Sequence, residues 1–471
     1  MRKKNRKQIF EHIEVLDAGA KGKTVAKAPD GRVIFISNAV PGDIVDIETT
    51  KKRKAYFEGI ATRFHKKSEK RTLPICEHFG NCGGCKWQHM QYEHQLFYKQ
   101  KEVENNLMRL GGLELPKPRP ILGSRKQYFY RNKMEFSFSD SRWLTLEEIK
   151  SDQPIGDKNA LGFHIPGMWD KILDIKKCHL QEDPSNAIRL EVKSFAEANQ
   201  LTFFNLRGQS GLLRTMMIRT ASTGEIMVII QFYEDLQQER ELLLEHLKTK
   251  FPEITSLQYI INQKQNDSIY DQEVVCYHGR DHIFEEMEGL RFKINAKSFY
   301  QTNSEQAYEL YKIVRDFAGL TGNETVYDLY TGTGTIAQFV AKKAKKVVGI
   351  ESVPEAIEDA KNNATQNKIT NAVFAVGDMK NVFTDQFINL HGTPDVIITD
   401  PPRVGMHKLV VEQLLKVAPD KIVYVSCNSA TQARDLGMMK EKYNVIESQA
   451  VDMFPQTHHV ENVVLLTKRK P

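Results

Sequence analysis

Cysteine is scarce in this chain, with six in 471 residues. Disulfide-stapled secreted domains are far richer in it, so such a scaffold is excluded and the cysteines point to metal or catalysis. Long apolar runs are also missing. Nothing approaches the roughly 18 consecutive apolar residues of a transmembrane helix, so no membrane-spanning helix and no membrane partner are expected. The start, Met1-Arg-Lys-Lys-Asn-Arg-Lys7, is basic, but no apolar core follows it. That excludes a secretory signal and leaves a cytoplasmic location as the expectation. A strong excess of one charge is lacking too: the net charge of +6 does not by itself call for nucleic acid. What is present is ordinary for a globular protein, 41% hydrophobic and 27% charged residues. The length suggests roughly three domains of about 150 residues each.

Residues 1–8 form a basic tail, either a solvated end or a phosphate contact. Short strands with Gly and Pro punctuation follow to residue 65, with turns at Asp30-Gly31 and Pro41-Gly42-Asp43. This pattern suits an oligonucleotide-binding barrel. Lys51, Lys52, Arg53 and Lys54 beside Tyr56 and Phe57 join phosphate-seeking cations to stacking faces, or else mark a charged hairpin tip over core aromatics.

Cys76-x5-Cys82-x2-Cys85, with glycines between, makes a tight loop in which thiolates can converge. Iron–sulfur clusters and structural zinc both want four ligands, and Cys178 is the candidate fourth. A [4Fe–4S] cluster is the leading reading, with zinc and unliganded thiols as the others. His78, His89 and His179 are read as neighbours rather than ligands. Tyr92–Leu110 reads as a helix, Pro116–Pro120 as a linker, and 116–290 as a mixed α/β region with Cys276 as core. The alternating segment 128–138 reads as a strand presenting Arg131 and Lys133 to RNA.

From residue 321 strands and helices alternate. Strands are expected at 325–330, 346–350, 372–376, 394–399, 421–425, 444–452 and 461–467, the last two as an antiparallel hairpin. The fold class is therefore α/β, with a doubly wound methyltransferase-like sheet at the C-terminus, a mixed α/β centre and an N-terminal OB-like barrel. The expected domains are 1–66, 67–290 and 291–471.

Val326–Tyr330, a turn at Gly332-x-Gly334 and a helix from Thr335 make the strand–turn–helix unit that cradles a nucleotide-like cofactor. A second strand ends in Glu351, which can accept from both hydroxyls of a ribose. Asp328 before the turn, together with the downstream motifs, points to S-adenosylmethionine. Gln301 lies just upstream and can bond a ligand, Phe299 and Tyr300 can sandwich a base, and Asn303 or Ser304 caps the following helix. Asp378 after the third strand can accept from an adenine amino group or cap a helix. Asp400-Pro-Pro-Arg403 makes a rigid shelf at the carboxyl edge of the sheet, facing Asp400 to the substrate. Arg403, where an aromatic would stack on a base, argues against amino-group methylation.

Ser426-Cys427-Asn428 puts a thiol at the end of the fifth strand. Carbon 5 of uracil is too weak a nucleophile to take a methyl group directly. A thiolate adding at carbon 6 makes an enolate whose carbon 5 can attack a sulfonium methyl, and a base must then remove the carbon 5 proton. Glu461, opening the last strand, is the candidate base.

Asp400-Pro-Pro-Arg403, Ser426-Cys427-Asn428 and His459-Val-Glu461 together resemble the RNA uracil-5-methyltransferase family. The resemblance spans the chain: 9–65 are similar to its TRAM domain, and Cys76, Cys82, Cys85 and Cys178 match the [4Fe–4S] ligands of its ribosomal RNA branch. It implies Cys427 as nucleophile and Glu461 as base. It also implies that Gln301, Tyr330, Thr335, Glu351, Asp378 and Asp400 line the S-adenosylmethionine and uracil pockets. Two departures are visible: Tyr330-Thr-Gly-Thr-Gly-Thr335 where the family often has Phe-Cys-Gly-x-Gly-Asn, and Asp378 where it often has Asn. The expectation is a monomeric 23S ribosomal RNA (uracil-C5)-methyltransferase. The transfer RNA branch usually lacks both barrel and cluster. RNA cytosine-5 enzymes carry their nucleophile in a Thr-Cys pair, and TRAM-bearing radical enzymes need C-x3-C-x2-C. A non-catalytic RNA-binding factor would not need Cys427 and Glu461.

Overall fold

A computed structural model describes residues 8–151, 156 and 158–470, so residues 1–7 of the basic tail lie outside the described residues. Residues 9–66 curl into a six-stranded sheet in the order Ile9–Glu14, Ile44–Lys52, Tyr56–Lys66, Val33–Ser37, Thr24–Lys27, Asp17–Ala18. Every second residue from Ile44 to Thr49 turns inward, and Ile34, Ile36, Val45, Ile47 and Phe57 fill the interior. The alternation decides between the two readings of Tyr56 and Phe57. Phe57 is a core residue and only its neighbour Tyr56 is partly accessible, because adjacent strand residues face opposite ways. Lys51, Lys52, Arg53 and Lys54 are exposed at the hairpin tip.

The central region holds a seven-stranded sheet running Met168–Asp174, Ala160–Ile165, Lys133–Ser139, Leu213–Thr220, Ile226–Phe232, Ile254–Ile261, Val275–Gly279. Helices Ser185–Ala198 and Gln237–Lys250 cover one face through Ile188, Val192, Leu243 and Leu247. Cys276 is exposed rather than core, since its strand is the last in the sheet and carries a neighbour on one side only. The expected strand over 128–138 begins at Lys133, after Phe129 takes the left-handed conformation at φ 55°.

The C-terminal sheet is built from β1 (Thr325–Leu329), β2 (Lys346–Glu351), β3 (Ala372–Val376), β4 (Val396–Thr399), β5 (Lys421–Ser426), β6 (Tyr443–Val451) and β7 (Glu461–Lys468). Their order is β3-β2-β1-β4-β5-β7-β6, with the first five parallel and β7 antiparallel to β5 and β6. Val326–Leu329 and Val396–Thr399 are buried throughout, as expected of parallel strands covered on both faces. The expected linker at 116–120 is in part a strand: Arg119–Leu122 runs parallel to β6 and closes that edge. Pro120 is tolerated there because an edge strand needs fewer donors. Helix Tyr92–Asn105 packs beside it, tying the cysteine loop to the C-terminal sheet.

Candidate active site

The order reverses between β1 and β4, and at such a switch point the carboxyl ends of parallel strands open a crevice. Tyr330, Glu351, Asp400 and Cys427 all stand at or just beyond those ends. After β1 the backbone passes through left-handed Tyr330 (φ 66°), Gly332 (φ 55°) and Gly334 (φ 76°) before helix Thr335–Ala341 begins. Asp328 holds this turn: its Oδ2 accepts from the Thr331 hydroxyl at 2.5 Å and from the Ala337 N–H at 3.0 Å. Glu351 Oε2 accepts from Gly332 N–H at 3.2 Å, while Oε1 takes the N–H and hydroxyl of Ser352. The Glu351 carboxylate therefore shapes the turn from the end of β2. Thr335 is buried, its hydroxyl 3.3 Å from that of Thr333.

Tyr330 and Asp378 line a cavity of about 710 Å³ with Ser352, Pro402 and His407. Asp378 caps a short helix by accepting from Lys380 N–H at 3.1 Å, and the Lys380 ammonium, 3.2 Å from its Oδ2, with that backbone bond second, holds its carboxyl below the usual range. Gln301 is partly buried, and its carbonyl accepts from Asn132 Nδ2 at 2.9 Å. Of the aromatic pair, Tyr300 is core against Phe292 and Phe299 is exposed, so the two do not form a sandwich.

Register brings the thiol to the carboxylate. Ser426 pairs with Asn462 at the last rung between β5 and β7, so Cys427 and Glu461 face each other one step beyond. Asp400 and Arg403 join them from the loop after β4. Burial, then the Asp400 carboxylate, raises Glu461 to about 8, with Arg403 opposing. Burial, then Asp328, raises Asp400 to about 7. The Cys427 thiol is pushed up to about 11 by burial, Glu461 and Asp400, while the Arg403 guanidinium works against them. The two motif loops are laced together. Asn428 Nδ2 donates to the Arg403 carbonyl at 2.9 Å, Thr431 Oγ1 donates to the same oxygen at 3.1 Å, and Asn428 Oδ1 caps the next helix at Ala430. Tyr311, buried in helix Ser304–Ala318, faces Asp400, Asp328 and Glu461 together. Nothing in the sequence distinguished it from an ordinary core tyrosine. The helix is capped by Asn303, which accepts from Gln306 N–H.

Cys76, Cys82, Cys85 and Cys178 line one cavity of about 490 Å³, which also meets Arg131 and Thr302. Burial raises all four thiols, Cys82 to about 11 and Cys85 to about 12. Gly84 N–H donates to Cys82 Sγ at 3.4 Å. Asn186 fixes the distant member, accepting from Cys178 N–H at 2.8 Å and donating to its carbonyl at 3.0 Å. His78 is occupied by the Lys176 N–H at 2.9 Å and His89 by the Ala39 carbonyl at 3.2 Å. On the barrel, His12, Asp46 and His65 bring three further potential donors within 4.8 Å of one another. No spacing in the sequence marks that group, whose members meet only across paired strands. Asp46 Oδ1 already accepts from His12 N–H at 3.0 Å and lies 2.6 Å from His65 Nε2.

A doubly wound sheet with this glycine turn, a carboxylate ending β2 and an antiparallel β7 set between β5 and β6 has the form of a Rossmann-like, S-adenosylmethionine-dependent methyltransferase. Comparison with known proteins narrows the class. The family model described as tRNA (Uracil-5-)-methyltransferase matches residues 209–469, and the chain belongs to that family of RNA uracil-5-methyltransferases. It is 59% identical to a Bacteroides thetaiotaomicron protein described as an uncharacterized RNA methyltransferase, over 96% of this chain and 100% of the relative. A Porphyromonas gingivalis protein of the same description is 53% identical, over 97% and 99% of the two chains. The solved structure of Pyrococcus abyssi tRNA (uracil-54, C5)-methyltransferase in complex with S-adenosyl-L-homocysteine superposes with a TM-score of 0.75 at 28% identity, covering 97% of this chain and 100% of that one. No helix among the described residues is long and apolar enough to cross a membrane.

Proposed function

We propose that this protein transfers a methyl group from S-adenosylmethionine to carbon 5 of a uridine in 23S ribosomal RNA through a covalent Cys427–uracil adduct. The observation that carries the reading is the register of β5 against β7, which sets a thiol and a buried carboxyl across from each other at the mouth of the cofactor fold. The Cys427 thiol gives its proton to solvent, its sulfur adds to carbon 6 of the uracil, and the carbon 5–carbon 6 π bond breaks to leave its electron pair on the enolate at carbon 5. S-adenosylmethionine supplies the methyl group to carbon 5 and leaves as the neutral thioether. Glu461 takes the carbon 5 proton, and the carbon 6–sulfur bond breaks to return the Cys427 thiolate. Because the anions of Cys427 and Glu461 disfavour each other, the pair titrates stepwise rather than together. Asp400 and Arg403 set the local field, and Gln301, Tyr330, Thr335, Glu351 and Asp378 form the cofactor side of the crevice.

The four cysteines would hold a [4Fe–4S] cluster. The N–H bond onto Cys82 Sγ suits a thiolate ligand. We assign the cluster a structural role in shaping the RNA surface, together with the TRAM-like barrel and its exposed lysines. The cytoplasmic ribosomal RNA reading rests on the match of the cysteine set to the ribosomal branch of the family, and a monomer suffices for the site. A second reading, methylation of a transfer RNA uridine, draws on the Pyrococcus abyssi likeness.

The test uses 5-fluorouridine RNA, whose carbon 5 fluorine blocks the elimination step. With S-adenosylmethionine and a fluorouridine-substituted 23S fragment, a shifted band on a denaturing gel is expected, and it should vanish in Cys427→Ala. A band with transfer RNA alone would move the substrate. Absence of a band with either would overturn the adduct mechanism.

A further inference from the structure

The hairpin tip between β6 and β7, residues 452–460, precedes Glu461 directly and is held from outside by an unusual set of buried bonds. Lys99 donates to Asp452 Oδ1 at 2.6 Å and to the Phe454 carbonyl at 3.1 Å. Both members of this ion pair have no exposed side-chain surface. Tyr92 donates its hydroxyl to Asp452 Oδ2 at 2.9 Å. Gln95 Nε2 donates to Gln456 Oε1 at 3.0 Å, and its Oε1 accepts from Gln456 N–H at 3.0 Å. Tyr92, Gln95 and Lys99 share one stripe of helix Tyr92–Asn105, at the i, i+3, i+7 spacing of a single face. The backbone N–H groups of Lys86 and Trp87, just past Cys85, converge on the Gln456 carbonyl at 2.9 and 3.0 Å. Gln456 itself is left-handed, at φ 67°.

A buried ion pair stabilises a fold little better than apolar side chains of the same volume would, but it accepts one geometry. Here that geometry reaches the site, because Asp452 directly follows Val451, the residue of β6 paired with Glu461. We propose that Lys99, seconded by Gln95, is a positioning residue that fixes the hairpin tip and so aims the Glu461 carboxylate at the carbon 5 proton. The proposal rests on Glu461 being the base. Adduct formation and methyl transfer do not use that base; only proton removal and release of the Cys427 sulfur do. A misaimed Glu461 therefore leaves a specific trace: methylated RNA still joined to Cys427 on ordinary uridine.

The experiment compares wild type, Lys99→Met, Gln95→Met and Glu461→Gln on unmodified uridine RNA with methyl-labelled S-adenosylmethionine. Labelled adduct is read on a denaturing gel, beside kcat, KM for RNA and affinity for S-adenosylhomocysteine. The expected result is at least tenfold more adduct than wild type in Lys99→Met and Gln95→Met, as in Glu461→Gln, with lower kcat and unchanged KM and cofactor affinity. Slower turnover without adduct in the two clamp variants, while Glu461→Gln accumulates it, overturns positioning and leaves the base in place. No adduct in Glu461→Gln overturns the base assignment and this proposal with it. Should Lys99→Met fail to fold, Gln95→Met, which strands no charge, decides alone.

Discussion

Glu461 is a carboxyl group kept where its anion is costly. Its folded value of about 8 stands above an ordinary 4.5. Its contribution to stability is therefore full below pH 4.5 and is lost as pH rises towards 8, where the unfolded chain ionises and the folded one resists. Glu461→Gln should melt higher than wild type at pH 8–9 by roughly 1–4 kcal/mol, with the gain vanishing near pH 5; paired denaturant titrations would show it. The same ionisation should govern turnover. The wild-type rate at which RNA is released from the Cys427 adduct should climb with pH through about 8, and Glu461→Gln, which holds the adduct, should lack that rise in a chase of the labelled complex. Cys427→Ala should bind S-adenosylhomocysteine within about twofold of wild type and form no fluorouridine adduct, checked by calorimetry and gel. At this scale the motif residues were legible because each type is dictated by bond-making chemistry. Lys99 was not, since a lysine in a helix carries no mark of being buried until its partner, Asp452, folds against it.

Among the elements, the turn between β1 and its helix is the most constrained. At Gly334 an added Cβ would lie 3.0 Å from the Ala360 Cβ and from the Phe374 ring, on a backbone already left-handed. Gly334→Ala should destabilise by about 1–3 kcal/mol and weaken cofactor binding, as read by thermal melts and calorimetry. Gly322→Ala, also at positive φ but with nothing within 4 Å of the added carbon, should leave cofactor binding unchanged. The strands of the C-terminal sheet were readable from their unbroken apolar runs. Arg119–Leu122 was not, because a four-residue edge strand that follows Pro116 and Pro118 and contains Pro120 looks like a linker and gains its ladder only beside β6. Tyr56 and Phe57 show the same limit: their composition left both a stacking and a core reading open, and pairing register assigned Phe57 to the core.

For the whole molecule, the barrel, the cysteine cavity and the catalytic crevice are joined through helix Tyr92–Asn105 and the 452–460 hairpin. Cys82→Ser should lose iron and RNA binding together, measured by metal analysis and filter binding; normal RNA affinity in iron-free protein would contradict the structural role assigned to the cluster. Replacing Lys51, Lys52, Arg53 and Lys54 with Gln should weaken RNA binding and flatten its salt dependence by about 0.7 per lost phosphate contact on single strands. The sequence by itself determined the sheet, the glycine turn, the thiol and carboxylate chemistry and the three-plus-one cysteine pattern. Each of these depends on local spacing or on intrinsic reactivity, which travel with the residues. Only the tertiary structure decided that Cys427 meets Glu461, that Cys178 joins the cysteine loop, and that Lys99 grips the hairpin beside Glu461. Those meetings arise from strand register and long-range packing, and the balance of buried free energy that selects them belongs to the whole chain rather than to any segment of it.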